Sequence, residues 1–281
     1  MISGLGGQLN SWDEGFLDHL SDAGFGLLRF DNRDCGLSQS FDDHGPASLS
    51  FGPEDLEAPE TFTVEEESAP YTLVDMADDT AGLLWALGVG AAHVMGVSMG
   101  GMIAQQLVIS HPELVLSLCS IMSTTGARDV GLPSPAALQV LLDKPPRTRA
   151  EYIDNEVRIW KVISSPGFPF DEERIRRKAA RAFDRSFRPD GVGRQLMAIV
   201  ASPDRTEALH DVGVPTVVIH GDGDPLVDPS GGVATATAVP GSRFLAIPGM
   251  GHDLPPEVWD EVTGAIAENA ARADGSPGAD R

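Results

Sequence analysis

Gly96-Val97-Ser98-Met99-Gly100 constrains this chain more than any other stretch. An apolar run over 91–97 ends there, and a helical pattern over 100–110 begins. A strand that becomes a helix within a residue or two presses backbone against backbone, so the positions flanking the turn must be small. Gly96 and Gly100 supply that clearance, and Gly101 lets the new helix approach closely. The serine between them is pushed out of the sheet, above a helix N-terminus whose unpaired N–H groups suit a developing negative charge. Ser98 is therefore a candidate nucleophile, with the N–H of Met99 as one candidate oxyanion donor. Glycine and serine also pair in ordinary turns, so the context carries the argument rather than the pentapeptide.

A neutral hydroxyl attacks poorly without a base, and an imidazole base needs an acidic partner to hold its tautomer. The β-branched run 214–220 reads as a buried parallel strand and ends in Gly221-Asp222-Gly223-Asp224-Pro225. Two carboxylates thus sit at the carboxyl end of a strand, where such sheets build their sites. After a short strand over 243–247 comes Pro248-Gly249-Met250-Gly251-His252, which puts a histidine on a glycine-rich loop past another strand end. The chain order is serine, carboxylate, histidine. His220, at the end of its own strand, reads as structural.

These motifs, with Gly4-Leu5-Gly6-Gly7-Gln8-Leu9, the stretch from Arg29-Phe30-Asp31 through Gly36-Leu37-Ser38, and Gly167-Phe168-Pro169-Phe170-Asp171, resemble the α/β-hydrolases. Within them the chain is similar to the aclacinomycin methylesterase type of polyketide ester hydrolase. The resemblance implies an α/β fold: a mostly parallel sheet flanked by helices, with a helical cap. It implies a serine hydrolase that cleaves a carboxylic ester through an acyl-enzyme, without a cofactor and without a metal. In its pattern the acid lies three residues after the glycine that ends the strand. That selects Asp224 beside Ser98 and His252, and leaves Asp222 as a turn residue. It also implies Leu5 N–H as the second oxyanion donor. A cofactor-free perhydrolase or carbon–carbon hydrolase would use the same triad, and a non-catalytic binding protein could keep the same fold. Relatives carry two or three strands before the glycine-rich loop, whereas Met1, Ile2 and Ser3 precede Gly4 here, so the opening strands are expected to be missing.

The charge of −22, from 20 basic and 42 acidic residues, argues against nucleic acid and anionic membranes. No run reaches the roughly 18 apolar residues that a membrane-spanning helix needs. No basic segment followed by an apolar one opens the chain. With two cysteines, Cys35 and Cys119, the expectation is free thiols in a reducing cytoplasm. Cys119 reads as core; Cys35 follows a strand end, where it could be reached by solvent, but nothing electropositive beyond Arg33 is adjacent to activate it. Gly4-Leu5-Gly6-Gly7 is not a phosphate loop, since position 9 is Leu9 and no lysine follows. The cluster Asp31, Arg33 and Asp34 reads as a structural network.

Along the chain, 13–23 patterns as a helix, 25–30 as a strand, 39–71 as an acidic surface loop with Glu65-Glu66-Glu67 exposed, and 75–87 as a helix. After a strand over 115–122 the alternation breaks. The stretch 126–209 carries helical patterns over 136–142, 150–163, 172–187 and 193–201, punctuated by prolines. The expected organisation is a core over 1–125 and 210–272, a helical cap inserted over 126–209, and a frayed tail over 273–281. Trp160, Phe168 and Phe170 are the cap residues that either line a pocket for a small-molecule ester or pack inside the cap. Because Ser98, Asp224 and His252 lie outside 126–209, that segment is expected to be separable from the chemistry.

Overall fold

The computed structural model describes residues 1–46, 68–143 and 146–274. Most of the acidic loop expected over 39–71, including Glu65-Glu66-Glu67, and the tail beyond 274 lie outside the described residues. Four strands form one all-parallel sheet in the order β1 (Ala92–Val97), β2 (Val115–Ile121), β3 (Thr216–Gly221) and β4 (Arg243–Ile247). Helix α1 (Glu14–Asp22) and helix α2 (Leu73–Ala86) precede β1, and α3 (Met99–Ser110) joins β1 to β2. Between β2 and β3 come α4 (Pro135–Leu142), α5 (Arg149–Ile163), α6 (Glu172–Arg185), α7 (Pro189–Ala201) and a single turn, α8 (Thr206–Leu209). Helix α9 (Pro229–Ala238) joins β3 to β4, and α10 (Trp259–Asp274) follows.

Period-two alternation gives the sheet two apolar faces. Val94 and Leu118 join Met76, Leu84, Ile103 and Leu107 of α2 and α3 in one cluster. Their neighbours Met95 and Cys119 point the other way, into a cluster with Phe16, Leu20, Val262 and Ile266 of α1 and α10. Helices on both faces account for the continuous hydrophobic character of the strands. Every residue from Met99 to Val108 is buried, so α3 runs through the interior.

The expectation of a strand over 25–30 is not met, and the hydrogen bonding explains why. Ile2 N donates to Met95 O and Val97 N donates to Ile2 O, at 2.9 and 3.2 Å, so Ile2 spends both groups on β1. Toward 25–30, Met1 N reaches Leu28 O at 2.9 Å, while Ser3 O is taken by the Asn32 side chain at 3.0 Å. A ladder needs a run of matched donors and acceptors, and Met1 to Ser3 do not offer one. Helix α9 has no counterpart in the sequence reading. Its residues are small, with no apolar stripe to reveal it; the available signals were the Asp228 cap and Pro229 at the first helical position.

Candidate active site

Ser98 sits at the turn from β1 to α3 with φ 56° and ψ −124°. Residues with side chains avoid that region, and such strain persists only where the surroundings impose it. A Cβ on Gly96 would lie 2.0 Å from the Gly100 carbonyl oxygen, and one on Gly100 would lie 2.1 Å from that of Ile2. Ser98 N donates to Ile121 O at 2.9 Å and Ser123 Oγ donates to Ser98 O at 2.9 Å, pinning the turn to the end of β2.

The structure brings Ser98, His252 and Asp224 together. Ser98 Oγ lies 2.9 Å from His252 Nε2, and His252 Nδ1 lies 2.7 Å from Asp224 Oδ2. An ionised carboxylate only accepts, so the Nδ1 proton is donated to Asp224 and Nε2 turns a lone pair toward the serine hydroxyl. Asp224 and His252 are 5% and 6% exposed, whereas Ser98 is only partly buried. The serine is thus the member of the three nearest to solvent.

Burial alone would raise the Asp224 carboxyl. The His252 charge, the His220 ring beside the carboxyl, and hydrogen bonds from His252 and Val227 N overcome it and hold Asp224 well below the usual carboxylate range. Oδ1 accepts from Leu226 N and Val227 N at 2.9 and 3.0 Å. His220 Nε2 donates to Val227 O at 2.8 Å and lies 3.5 Å from Asp224 Oδ2, which makes this strand-end histidine a flank of the acid. Asp222, by contrast, is exposed and accepts from Gly249 N at 2.6 Å.

Gly4, the residue before Leu5, and Met99, the residue after Ser98, both adjoin the serine. A Cβ on Gly4 would be 3.2 Å from Ser98 Cβ, so the glycine loop that leads into Leu5 passes against the serine. Met99 opens α3, and amides of a first helical turn lack intrahelical acceptors. The glycine loop is held from distant elements. Gly6 N donates to Gln195 Oε1 at 2.9 Å, and Gln195 Nε2 donates to Arg33 O at 2.7 Å. Gln8 Nε2 donates to Ala182 O and Ser186 O, both at 2.9 Å. Gln195 is a neutral amide outside any motif, and Gln8, although inside the glycine-rich motif, carried no side-chain role in the sequence reading. Cys35 donates to Gly6 O at 3.3 Å and is 5% exposed. Burial, with Asp31 nearby, pushes its thiol up to about 12, so Cys35 is neither exposed nor activated.

Residues 1–257 match the family described as alpha/beta hydrolase fold. The chain is an α/β-hydrolase. This α/β-hydrolase is 28% identical over 294 residues to rhodomycin D methylesterase DauP of Streptomyces sp. (strain C5), covering 97% of this chain and 90% of that protein. Its fold is that of the enol-lactonase from Burkholderia xenovorans LB400, with TM-score 0.69, 19% identity and coverage of 96% and 89%. The meta-cleavage product hydrolase from Pseudomonas fluorescens IP01 gives TM-score 0.66, 17% identity and coverage of 96% and 88%.

The three aromatic residues expected at the pocket fall in different places in this α/β-hydrolase. Trp160 packs against Ala137, Val140 and Ile163, and its Nε1 donates to Glu156 Oε2 at 3.1 Å. Burial raises the Glu156 carboxyl despite that bond. Phe168 is half-buried against the cluster that includes Met250. Phe170 is 37% exposed, with Lys161 Nζ 5.8 Å from its ring centre, so it faces solvent. Among the described residues no helix is long and apolar enough to cross a membrane.

Proposed function

We propose that this α/β-hydrolase cleaves a carboxylic ester through an acyl-enzyme on Ser98. His252 Nε2 takes the hydroxyl proton as Oγ attacks the acyl carbon. The resulting oxyanion turns to the N–H groups of Leu5 and Met99, and Asp224 balances the imidazolium. Collapse breaks the ester bond, and His252 returns the proton to the leaving alcohol. Water, deprotonated by His252, then attacks the acyl carbon; the bond to Ser98 Oγ breaks, Oγ takes the proton back from His252, and the acid leaves. The observation that carries this reading is the unbroken Ser98–His252–Asp224 relay, 2.9 and 2.7 Å, above a helix N-terminus.

A methyl ester of a polyketide-like small molecule is the substrate class supported by the similarity to rhodomycin D methylesterase. A cap role for 126–209 is supported by its contacts on both flanks of the site. Gln195 holds Gly6 on the oxyanion side, and Ile163 O accepts from His252 N on the other. Phe168, Trp160 and Phe170 are the candidates for the pocket wall, and Phe170 is the most exposed of the three.

The test is hydrolysis of 4-nitrophenyl acetate by Ser98→Ala, with turnover expected to fall by about 10⁴-fold or more. A fluorophosphonate should label the parent chain and spare the variant. Activity of the variant within tenfold of the parent would reject the acyl-enzyme. Absence of labelling in the parent would point to a binding protein of the same fold.

A further inference from the structure

None of Ser98, His252 and Asp224 lies in 126–209, yet the end of α5 is stitched to the loop that bears His252. His252 N donates to Ile163 O at 2.7 Å, on the last residue of α5. Gly251 N donates to Ser165 Oγ at 2.9 Å. Ser165 N donates to Asp253 Oδ1 at 2.8 Å, and Ser165 Oγ donates to the same oxygen. Gly167 N donates to Gly249 O at 2.9 Å. The approach is close enough to exclude side chains, since a Cβ on Gly251 would meet the Ser164 carbonyl group at 2.6 Å and one on Gly167 would meet Gly249 Cα at 2.7 Å.

The division of labour within the histidine loop gives these bonds their meaning. Its first residues are tied to the core: Gly249 N to the Asp222 carboxylate, Met250 N to Ile247 O, and Gly223 N to Met250 O. From Gly251 onward the amides turn to the end of α5 and the loop after it. Ser165 is the hinge of that contact. It is 7% exposed, accepts from the residue before His252, and donates twice to the residue after it.

We propose that Ser165 and Asp253 are positioning residues that hold His252 in line with Ser98, so that turnover depends on the seating of the α5–α6 loop against the histidine loop. This rests on His252 acting as the base. The segment expected from sequence to be a separable roof thereby becomes part of the base's support. A shift of α5 is transmitted to the proton relay without any contact with substrate.

The test follows 4-nitrophenyl acetate hydrolysis below the melting midpoint of each variant. Ser165→Ala and Asp253→Ala should lower kcat by about 10- to 100-fold, the penalty for an ångström-scale misplacement of a catalytic group, with KM within about twofold of the parent. Asp253→Asn keeps an oxygen that accepts both serine bonds and should recover most of the turnover. The double variant Ser165→Ala/Asp253→Ala should be little worse than either single one, because both break one support. Full kcat in folded Ser165→Ala and Asp253→Ala overturns the proposal. Should Ser165→Ala fail to fold, the other pair decides: equal turnover in Asp253→Ala and Asp253→Asn overturns it too. His252→Ala separates the two readings. If it is inactive while the Ser165 and Asp253 variants are intact, only the positioning role fails. If it remains active, the relay itself fails.

Discussion

Asp224 divides its two oxygens between architecture and chemistry. Oδ1 takes two backbone amides of its own turn, and Oδ2 is left to His252 with His220 beside it. Replacing Asp224 by Asn keeps the size and changes the proton logic. An amide nitrogen facing Nδ1 would force the imidazole into the tautomer that carries its proton on Nε2, where it cannot accept from Ser98. Asp224→Asn should therefore cost roughly 10⁴-fold in kcat, while Asp222→Asn, which still accepts from Gly249 N, should cost at most about tenfold. Rate assays on the two variants check this, and the reverse ranking would move the acid to Asp222. Ser98, the two carboxylates and His252 were legible in the sequence because each closes a strand with a recognisable turn. Choosing between the carboxylates required the spacing of the resembling family. Gln195, Gln8 and Ser165 were not legible, because a neutral side chain that meets its partner 189, 174 or 86 positions away leaves no local trace.

Glycine substitutions separate the roles of two helices. At Gly100 a methyl group would strike the Ile2 carbonyl, and a backbone atom cannot step aside. At Gly82, inside α2, a Cβ meets nothing within 4 Å. Gly100→Ala should destabilise the fold by about 1–3 kcal/mol through overpacking and impair the serine turn. Gly82→Ala should stabilise it by about 0.5–1 kcal/mol through helix propensity. Urea titrations of both variants give the two signs. The helices between β2 and β3 were readable because their starts carry ordinary caps, with Thr148 and Glu151 forming a capping box and Asp171 accepting from Arg174 N. The segment over 25–30 had the composition of a strand, but strand formation depends on a partner that local composition does not report.

Over the whole molecule the acidic excess is partly absorbed into buried pairs. Asp34 is buried; desolvation would raise its carboxyl, but the Arg194 guanidinium at 2.7 Å, Phe41 N and the Tyr71 hydroxyl hold it below its ordinary value. Asp13 and Asp31 are likewise lowered against the pull of burial, by Arg174 with Lys178 and by Arg185. A carboxyl lowered in the folded state adds stability that is present above its unfolded value of 3.8 and is lost as pH falls through the folded one. Glu156 and Asp253, raised chiefly by burial, act in the opposite sense: their stabilisation is present below their unfolded values and fades as pH rises. With Asp224 on the first side, the balance favours a steep loss of stability below about pH 4. Thermal melts between pH 3 and 7 should show it. Asp34→Asn should melt lower at pH 7, with a shallower acid limb; an unchanged limb would show that the Arg194 pair does not carry the dependence.

The bond between Cys35 Sγ and the Gly6 carbonyl gives the glycine loop an internal clock. A thiol with its pKa near 12 is inert while the loop is closed, so a disulfide reagent can act only during excursions that free it. Cys119, in β2 at 3% exposure, requires an opening of the sheet itself. Thiol modification should accordingly run in two phases, the faster set by the breathing of the glycine loop and the slower by global unfolding. A ligand that closes on the loop would slow the first phase and leave the ratio of amplitudes untouched. The frequency with which the site comes apart can then be counted with no substrate present.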